Sequence, residues 1–120
     1  MAMRNTFNKP VALKKGDMVG VVSPSNTVFS ESLKTGLKSL KRLGFRIKFN
    51  DTILYPRIYT IDEDKRRADD VNGMFRDKDI KAILHAKGGY GMIRILPYLD
   101  TEMIAKNPKV VVGYSDATVF

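Results

Sequence analysis

One serine of this 120-residue chain stands in a setting that suits a nucleophile. Ser115 follows three consecutive valines and lies between Gly113 and Ala117, in the order Gly-x-Ser-x-Ala. The glycine lets a strand turn sharply, and the small residue after the serine leaves room on the other side of the turn. This is the arrangement of a nucleophile elbow, a strained strand-to-helix turn that lifts a hydroxyl above a sheet. The same residues also fit a loop serine that only caps the next helix.

A second stretch, Lys87-Gly88-Gly89-Tyr90-Gly91, is unusually rich in glycine and directly follows a predicted strand. Glycine permits positive φ and a close approach of the backbone to a ligand. It also lets backbone N–H groups point at an anion or at the oxyanion of an acyl-transfer intermediate. A plain tight turn explains the same residues. The stretch is not a P-loop, because no Gly-Lys-Ser/Thr follows at the required spacing.

A third polar cluster, Ser23-Pro24-Ser25-Asn26, ends the first predicted strand. Ligands of α/β proteins bind at the C-terminal edge of the parallel strands. Ser23 is therefore a candidate for substrate binding, and an ordinary strand-to-helix connection is the alternative.

Hydrophobic periodicity predicts the elements that position these residues. The glycines and serines named above then fall at strand ends. Ser30 is a candidate N-cap of the first helix, and Thr60 followed by Glu63 fits a capping box that opens the second. Strands are predicted at 18–22, 45–49, 80–86 and 110–112, and helices at 30–43, 60–76, 92–96 and 101–106.

The alternation of strands and helices predicts an α/β fold, a parallel sheet with helices on both faces. In such a sheet the Gly88-Gly89 turn and the Ser115 turn lie at the same C-terminal edge. Val110-Val111-Val112 suits a central strand buried on both faces, because its residues are uniformly β-branched and apolar.

Composition narrows the function classes. Hydrophobic content of 43% and charged content of 28% predict one globular domain with a sizeable core. The chain has no cysteine, which excludes disulfides, cysteine-ligated zinc and a thiol nucleophile, and fits a cytoplasmic protein. No apolar run is long enough for a membrane span, and the first ten residues lack the apolar segment of a secretory signal.

The net charge of +8 raises the question of nucleic-acid binding. The basic residues are scattered, acids lie nearby at 62–64 and 69–70, and aromatic residues do not interleave with a basic stripe. We therefore interpret the charge as a basic, solvated surface. No nucleic acid, metal, cofactor or membrane is expected as a partner.

Taken together, these motifs resemble those of the LD-carboxypeptidase family of serine peptidases, which includes microcin-immunity proteins. Lys87 is a departure, because arginine is common there; lysine keeps the charge but loses the fork geometry. The matching stretches are 15–17, 21–25, Lys87-Gly88-Gly89-Tyr90-Gly91, Leu96-Pro97-Tyr98-Leu99-Asp100, 108–109 and Gly113-Tyr114-Ser115-Asp116-Ala117-Thr118.

The resemblance implies a mechanism and a substrate. Ser115 would be the nucleophile, and the N–H groups of Gly89 and Asp116 would form the oxyanion hole. Gly88, Tyr90 and Ser23 would contact the substrate. That substrate would be a murein tetrapeptide, cleaved at its L,D-bond to release the terminal D-alanine in peptidoglycan recycling. The fold would be flavodoxin-like or class I amidotransferase-like, and the full-length protein a homodimer.

The resemblance also implies a division of the chain. Residues 1–9 would be a flexible tail, and 10–120 the N-terminal domain that carries the nucleophile. The Glu and His that complete the triad in this family come from a C-terminal domain, so we expect the chain as given to be inactive. His85, the only histidine, is expected in the core or at a strand end rather than as the base. The helix after Ser115 would be cut short, which predicts reduced stability or association with another chain.

Three alternatives remain at this stage. The first is an immunity-type amidase of the same family, which cleaves a peptide-nucleotide antibiotic. The second is a non-catalytic α/β module whose glycine turn binds an anion while Ser115 only caps a helix. The third is a basic nucleic-acid-binding protein.

Overall fold

The structure, a computed structural model, describes residues 7–120. Most of the predicted tail at residues 1–9 lies outside the described residues. Four strands form one parallel sheet, in the order β2-β1-β3-β4. The strands are β1 (Met18–Val22), β2 (Arg46–Phe49), β3 (Ile80–His85) and β4 (Val110–Val112).

Helices connect the strands and cover both faces of the sheet, which confirms the predicted α/β fold. The order β2-β1-β3-β4 agrees with the first four strands of a flavodoxin-like sheet. Short 3-10 turns occupy Asp51–Leu54, Leu96–Tyr98 and Ser115–Val119. The α-helices are α1 (Ser30–Arg42), α2 (Ile61–Arg76), α3 (Met92–Ile95) and α4 (Thr101–Lys106). None of the helices within residues 7–120 has the length and apolar character needed to cross a bilayer.

Two apolar clusters hold the layers together. One lies between the sheet and α2, α3 and α4, and the other lies between the sheet and α1. Burial of this apolar surface is the main favourable term of folding. The first cluster comprises Val22, Ala68, Val71, Met74, Phe75, Ile80, Ile83, Met92 and Ile95, and the second comprises Val21, Val28, Leu33 and Ile53.

The predicted helix caps are partly correct. Thr60 caps α2, because its side chain accepts a hydrogen bond from the Glu63 backbone N–H at 3.3 Å. The Glu63 carboxylate does not complete the capping box, since it pairs with two arginines. Ser30 is the first residue of α1 rather than its cap, because Phe29 holds the extended cap conformation.

The prediction that the valine strand is central and buried on both faces is wrong. β4 lies at the edge of the described sheet and pairs only with β3. Val111 and Val112 are 40% and 49% exposed. Three β-branched residues favour a strand, but they do not determine how many neighbours the strand has.

The strand order places two loops side by side. β1 and β3 are adjacent, while the chain leaves them in opposite directions, so their C-terminal ends flank the topological switch point of the sheet. Ligands of open α/β sheets bind at this point. The serine cluster after β1 and the glycine stretch after β3 therefore both border the candidate site.

Candidate active site

The turn at Ser115 has the strained geometry of an elbow. Ser115 adopts φ +57°, the only positive value at a non-glycine residue among residues 7–120. Tyr114 before it is extended, with φ −149° and ψ 169°, and a 3-10 turn begins at Ser115 itself. A residue held in this sparsely populated region persists only where surrounding contacts enforce it. Ser115 is exposed, so its hydroxyl is not buried in the core.

The elbow and the glycine stretch touch each other. A methyl group placed on Gly88 would lie 3.0 Å from Ser115 Cβ and 3.3 Å from Ser115 Oγ. Any residue larger than glycine at this position would therefore press against the serine. The two turns meet at one edge of the sheet, as the strand order predicts.

The two backbone N–H groups predicted for an oxyanion hole are available. Among residues 7–120, the N–H groups of Gly89 and Asp116 donate no hydrogen bond to a protein acceptor. Backbone N–H groups near a core are normally paired, so unpaired donors beside a serine are suited to an incoming oxygen. The assignment of Gly89 and Asp116 as oxyanion donors stays a prediction.

Gly89 needs to be glycine for two reasons. Its φ of +132° is one that L side chains rarely adopt. A methyl group there would also lie 2.9 Å from Asn26 Cβ, in the loop that follows β1. The glycine stretch is thus packed closely on the neighbouring loop.

The Asp116 side chain has a role that sequence reasoning missed. Its Oδ2 accepts a hydrogen bond from the Met92 backbone N–H at 2.9 Å. Met92 is the first residue of α3, directly after the glycine stretch. A contact between two residues so far apart in the chain has no local signal in the sequence, which pointed only to the backbone of Asp116.

The predicted substrate-binding residues differ in exposure. Tyr90 is 56% exposed, and its ring centroid lies 5.6 Å from that of Tyr59. Gly88 is buried against Ser115. Ser23 is 3% exposed, and its hydroxyl donates to the Asn26 carbonyl. The Ser23 side chain therefore lies inside the loop that follows β1 and stabilises that loop through this hydrogen bond.

A buried network of charges lies beneath these loops. We call Arg57, Glu63, Asp64, Arg67 and Arg94 the arginine–carboxylate network. Four of its side chains are at most 4% exposed, and Arg94 is 32% exposed. The interpretation of the charges as solvated surface is therefore wrong for this group, because sequence position alone did not show that α2 turns them inward.

The arginine–carboxylate network ties the site loops together. Arg67 donates to the Ser23 carbonyl at 2.6 Å and to the Tyr55 carbonyl at 2.9 Å. Arg57 lies directly under the glycine stretch, since a methyl group on Gly91 would be 2.6 Å from Arg57 Nη2. Loops after β1, before α2 and after β3 thus share one charged support.

The arginines of the network favour the ionised form of the Asp64 carboxylate. Burial works to raise the pKa of Asp64, but hydrogen bonds from Arg94 and Arg57 outweigh it and hold the pKa below its ordinary value. Three arginines face two carboxylates, so the network carries a net charge of 3 − 2 = +1.

The single histidine lies below the elbow. His85 ends β3, is 4% exposed, and burial lowers its pKa. Neither ring nitrogen has a hydrogen-bond partner within residues 7–120. The expectation of a strand-end histidine in the core is confirmed, and His85 forms no hydrogen bond with the Ser115 hydroxyl.

The described residues also contain no group of three or more ligating side chains that could hold a metal ion.

Comparison with known proteins places the chain in a family. Residues 19–120 match the family described as the LD-carboxypeptidase N-terminal domain. A probable murein peptide carboxypeptidase of Bacillus subtilis (strain 168) is 41% identical over 119 residues, which are 97% of this chain and 37% of that protein. The microcin C7 self-immunity protein MccF of Escherichia coli is 31% identical, over 88% of this chain and 32% of that protein.

Solved structures show the same relationship. An MccF-like protein from Bacillus anthracis str. Ames superposes with a TM-score of 0.83 at 38% identity, covering 92% of this chain and 35% of the other. The muramoyltetrapeptide carboxypeptidase from Oxalobacter formigenes gives 0.76 at 27% identity, covering 86% of this chain and 34% of the other. The chain spans about a third of the length of the curated relatives it matches. With its elbow, glycine stretch and sheet order in place, the chain belongs to the LD-carboxypeptidase family and matches its N-terminal domain.

Proposed function

We propose that the protein is a serine carboxypeptidase that removes the terminal D-alanine from murein tetrapeptides, with Ser115 as the nucleophile. The observation that carries this proposal is the contact between the strained, exposed Ser115 and Gly88. The names of relatives that act on murein peptides support the substrate class.

In the proposed reaction, Ser115 Oγ attacks the carbonyl carbon of the scissile L,D-bond. The carbonyl oxygen becomes an oxyanion, which the N–H groups of Gly89 and Asp116 stabilise more strongly than the ground-state carbonyl. The bond to D-alanine then breaks as its nitrogen takes up the proton that a base removed from Ser115, so D-alanine leaves as the amine. An ester to Ser115 remains until water hydrolyses it to the free carboxylate and restores the hydroxyl.

The serine needs a base to take its proton. A serine hydroxyl is a weak nucleophile at its free pKa. His85 does not serve, since its buried nitrogens form no bond to the hydroxyl. We propose that the base and its orienting carboxylate come from residues outside 7–120, as the family resemblance implies, and that 1–120 alone hydrolyses no substrate.

A second candidate function is an immunity-type amidase. It is supported by the similarity to MccF, a structure of which is described in complex with aspartyl sulfamoyl adenosine. Both functions use the same nucleophile and oxyanion hole, so they differ in substrate rather than in the chemistry of Ser115.

The test uses the full gene product and both substrate types. We expect mass spectrometry to detect D-alanine released from a murein tetrapeptide, with no release by Ser115→Ala and normal release by the control Ser32→Ala on the exposed side of α1. Cleavage of aspartyl sulfamoyl adenosine alone would instead favour the amidase. Hydrolysis that persists in Ser115→Ala would rule out both.

A further inference from the structure

We propose that the Asp116 carboxylate is a positioning residue that fixes the oxyanion hole. It would do so by tying the far end of the glycine stretch to the elbow. The proposal rests on the proposed function, because it assigns the tether a role in stabilising the oxyanion at Ser115.

The glycine stretch is held at its two ends. At the start, the Ala86 backbone N–H donates to the Val22 carbonyl at 2.9 Å, which continues the pairing of β3 with β1. At the end, the Met92 backbone N–H donates to Asp116 Oδ2 at 2.9 Å. The Met92 side chain is fully buried in the core, so this end has a fixed position.

Between these ends the backbone has little support of its own. Within the described chain, the N–H groups of residues 87–90 donate to no protein acceptor. Such a segment opens easily unless tertiary contacts hold it. The segment is held instead by the close approaches of Gly88 to Ser115 and of Gly89 to Asn26, and by side-chain contacts. The Tyr59 hydroxyl donates to the Tyr90 carbonyl at 3.4 Å, and the Lys87 ammonium lies 4.9 Å from the Phe29 ring centroid.

Asp116 contributes to the proposed oxyanion hole through both its backbone and its side chain. The residue that supplies one proposed oxyanion donor through its backbone also holds, through its side chain, the segment that supplies the other. Two contacts therefore limit the separation of the Gly89 and Asp116 N–H groups: the hydrogen bond from Met92 to Asp116, and the packing of Gly88 against Ser115. A carboxylate accepts a backbone hydrogen bond more strongly than a neutral group does.

A purely structural role would require the same hydrogen bond. The control is therefore a second aspartate that also accepts a hydrogen bond from a backbone N–H near the start of a helix. Asp100 Oδ1 accepts from the Met103 backbone N–H at 3.0 Å and caps α4. Asp100 makes no contact with the elbow or the glycine stretch among its hydrogen bonds. Asp100→Ala removes a comparable cap without touching the site.

The experiment compares Asp116→Ala, Asp116→Asn and Asp100→Ala in the full gene product. We expect Asp116→Ala to lower kcat at least about tenfold with KM changed less than about threefold, as for an interaction made only in the transition state. Asp116→Asn keeps an acceptor oxygen and should recover most of kcat. Asp100→Ala should lose stability but keep kcat. Equal losses of kcat in the two alanine variants would overturn the proposal.

A second readout separates this proposal from the proposed function. Amide hydrogen exchange of a peptide covering residues 86–92 needs no turnover. We expect exchange at the Met92 amide, which loses its acceptor, to become at least about tenfold faster in Asp116→Ala and to stay unchanged in Asp100→Ala. Unchanged exchange in Asp116→Ala would overturn the tether even in an active enzyme. A wild-type protein that cleaves nothing, while its tether behaves as expected, would count against the proposed function alone.

Discussion

At the residue scale, the candidate site depends on where small side chains allow two backbones to meet. Gly88 lies against Ser115, and Gly113 lies so close to Ala117 that a methyl group would be 2.9 Å from its Cβ. Gly113 and Ala117 were predicted from the sequence, because small residues two positions before and after a serine are typical of a sharp strand-to-helix turn. It missed the Asp116 side chain, because its partner at Met92 is brought near only by the fold.

The first prediction concerns Gly89→Ala. We expect it to destabilise the protein and to slow the reaction of Ser115, because φ is +132° and the new methyl would lie 2.9 Å from Asn26 Cβ. The free energy of unfolding should fall by about 1–3 kcal/mol, the usual cost of local backbone strain. Urea denaturation measures this loss. The control is Gly36→Ala in α1, where a methyl group meets nothing within 4 Å; it should stabilise by about 0.5–1 kcal/mol. Equal effects of the two changes would contradict the packing described for Gly89.

The second prediction concerns the pH dependence contributed by His85. Burial lowers the pKa of His85 in the folded state below its ordinary value of 6.5. The unfolded chain therefore binds more protons, and this contribution to stability is full above about pH 6.5 and is lost as the pH falls below it. We expect the free energy of unfolding to fall less steeply below this pH in His85→Leu than in the wild type. Parallel pH profiles of the two proteins would show that His85 titrates alike in both states.

At the element scale, the strands and helices follow from periodicity, while the network under the loops does not. β1 and α2 begin and end where apolar spacing and the Thr60 cap place them. β4 was placed wrongly, because valines alone do not specify a neighbour on each side. Charges at 57, 63, 64 and 67 read as surface in the sequence, since burial of an ion pair depends on which loops fold over it.

The third prediction concerns Arg67→Met. Arg67 is 2% exposed and donates to the Glu63 carboxylate and to three loop carbonyls. Breaking a buried pair by removing one partner should cost about 3–5 kcal/mol. The matched control is Arg66→Met, an exposed neighbour that stacks over the Tyr55 ring at 5.4 Å; it should cost at most about 1 kcal/mol. Chemical denaturation of both variants measures the difference, and similar losses would mean that the network does not hold the loops.

At the scale of the whole molecule, the main feature is the exposed edge strand β4 of the described sheet. β4 presents an unpaired edge among the described residues, and Val111 and Val112 are exposed. An exposed apolar edge strand is a template for pairing with another chain. The association or reduced stability of residues 1–120 on their own therefore stays a prediction.

The fourth prediction is that the 120-residue chain associates through β4. Sedimentation velocity should show a sedimentation coefficient that rises with protein concentration, and Val111→Lys should suppress the rise by placing a charge on the edge. The control is Val11→Lys, which changes a valine that is 80% exposed and outside the sheet. Association that survives Val111→Lys would move the contact away from β4.

The role of Ser115 as the nucleophile can be tested by covalent labelling. We would treat the full gene product with a fluorophosphonate and locate the adduct by peptide mapping. We expect one adduct per chain, on the peptide that contains Ser115, and no adduct on Ser115→Ala. An adduct on another residue, or labelling that persists in Ser115→Ala, would contradict it.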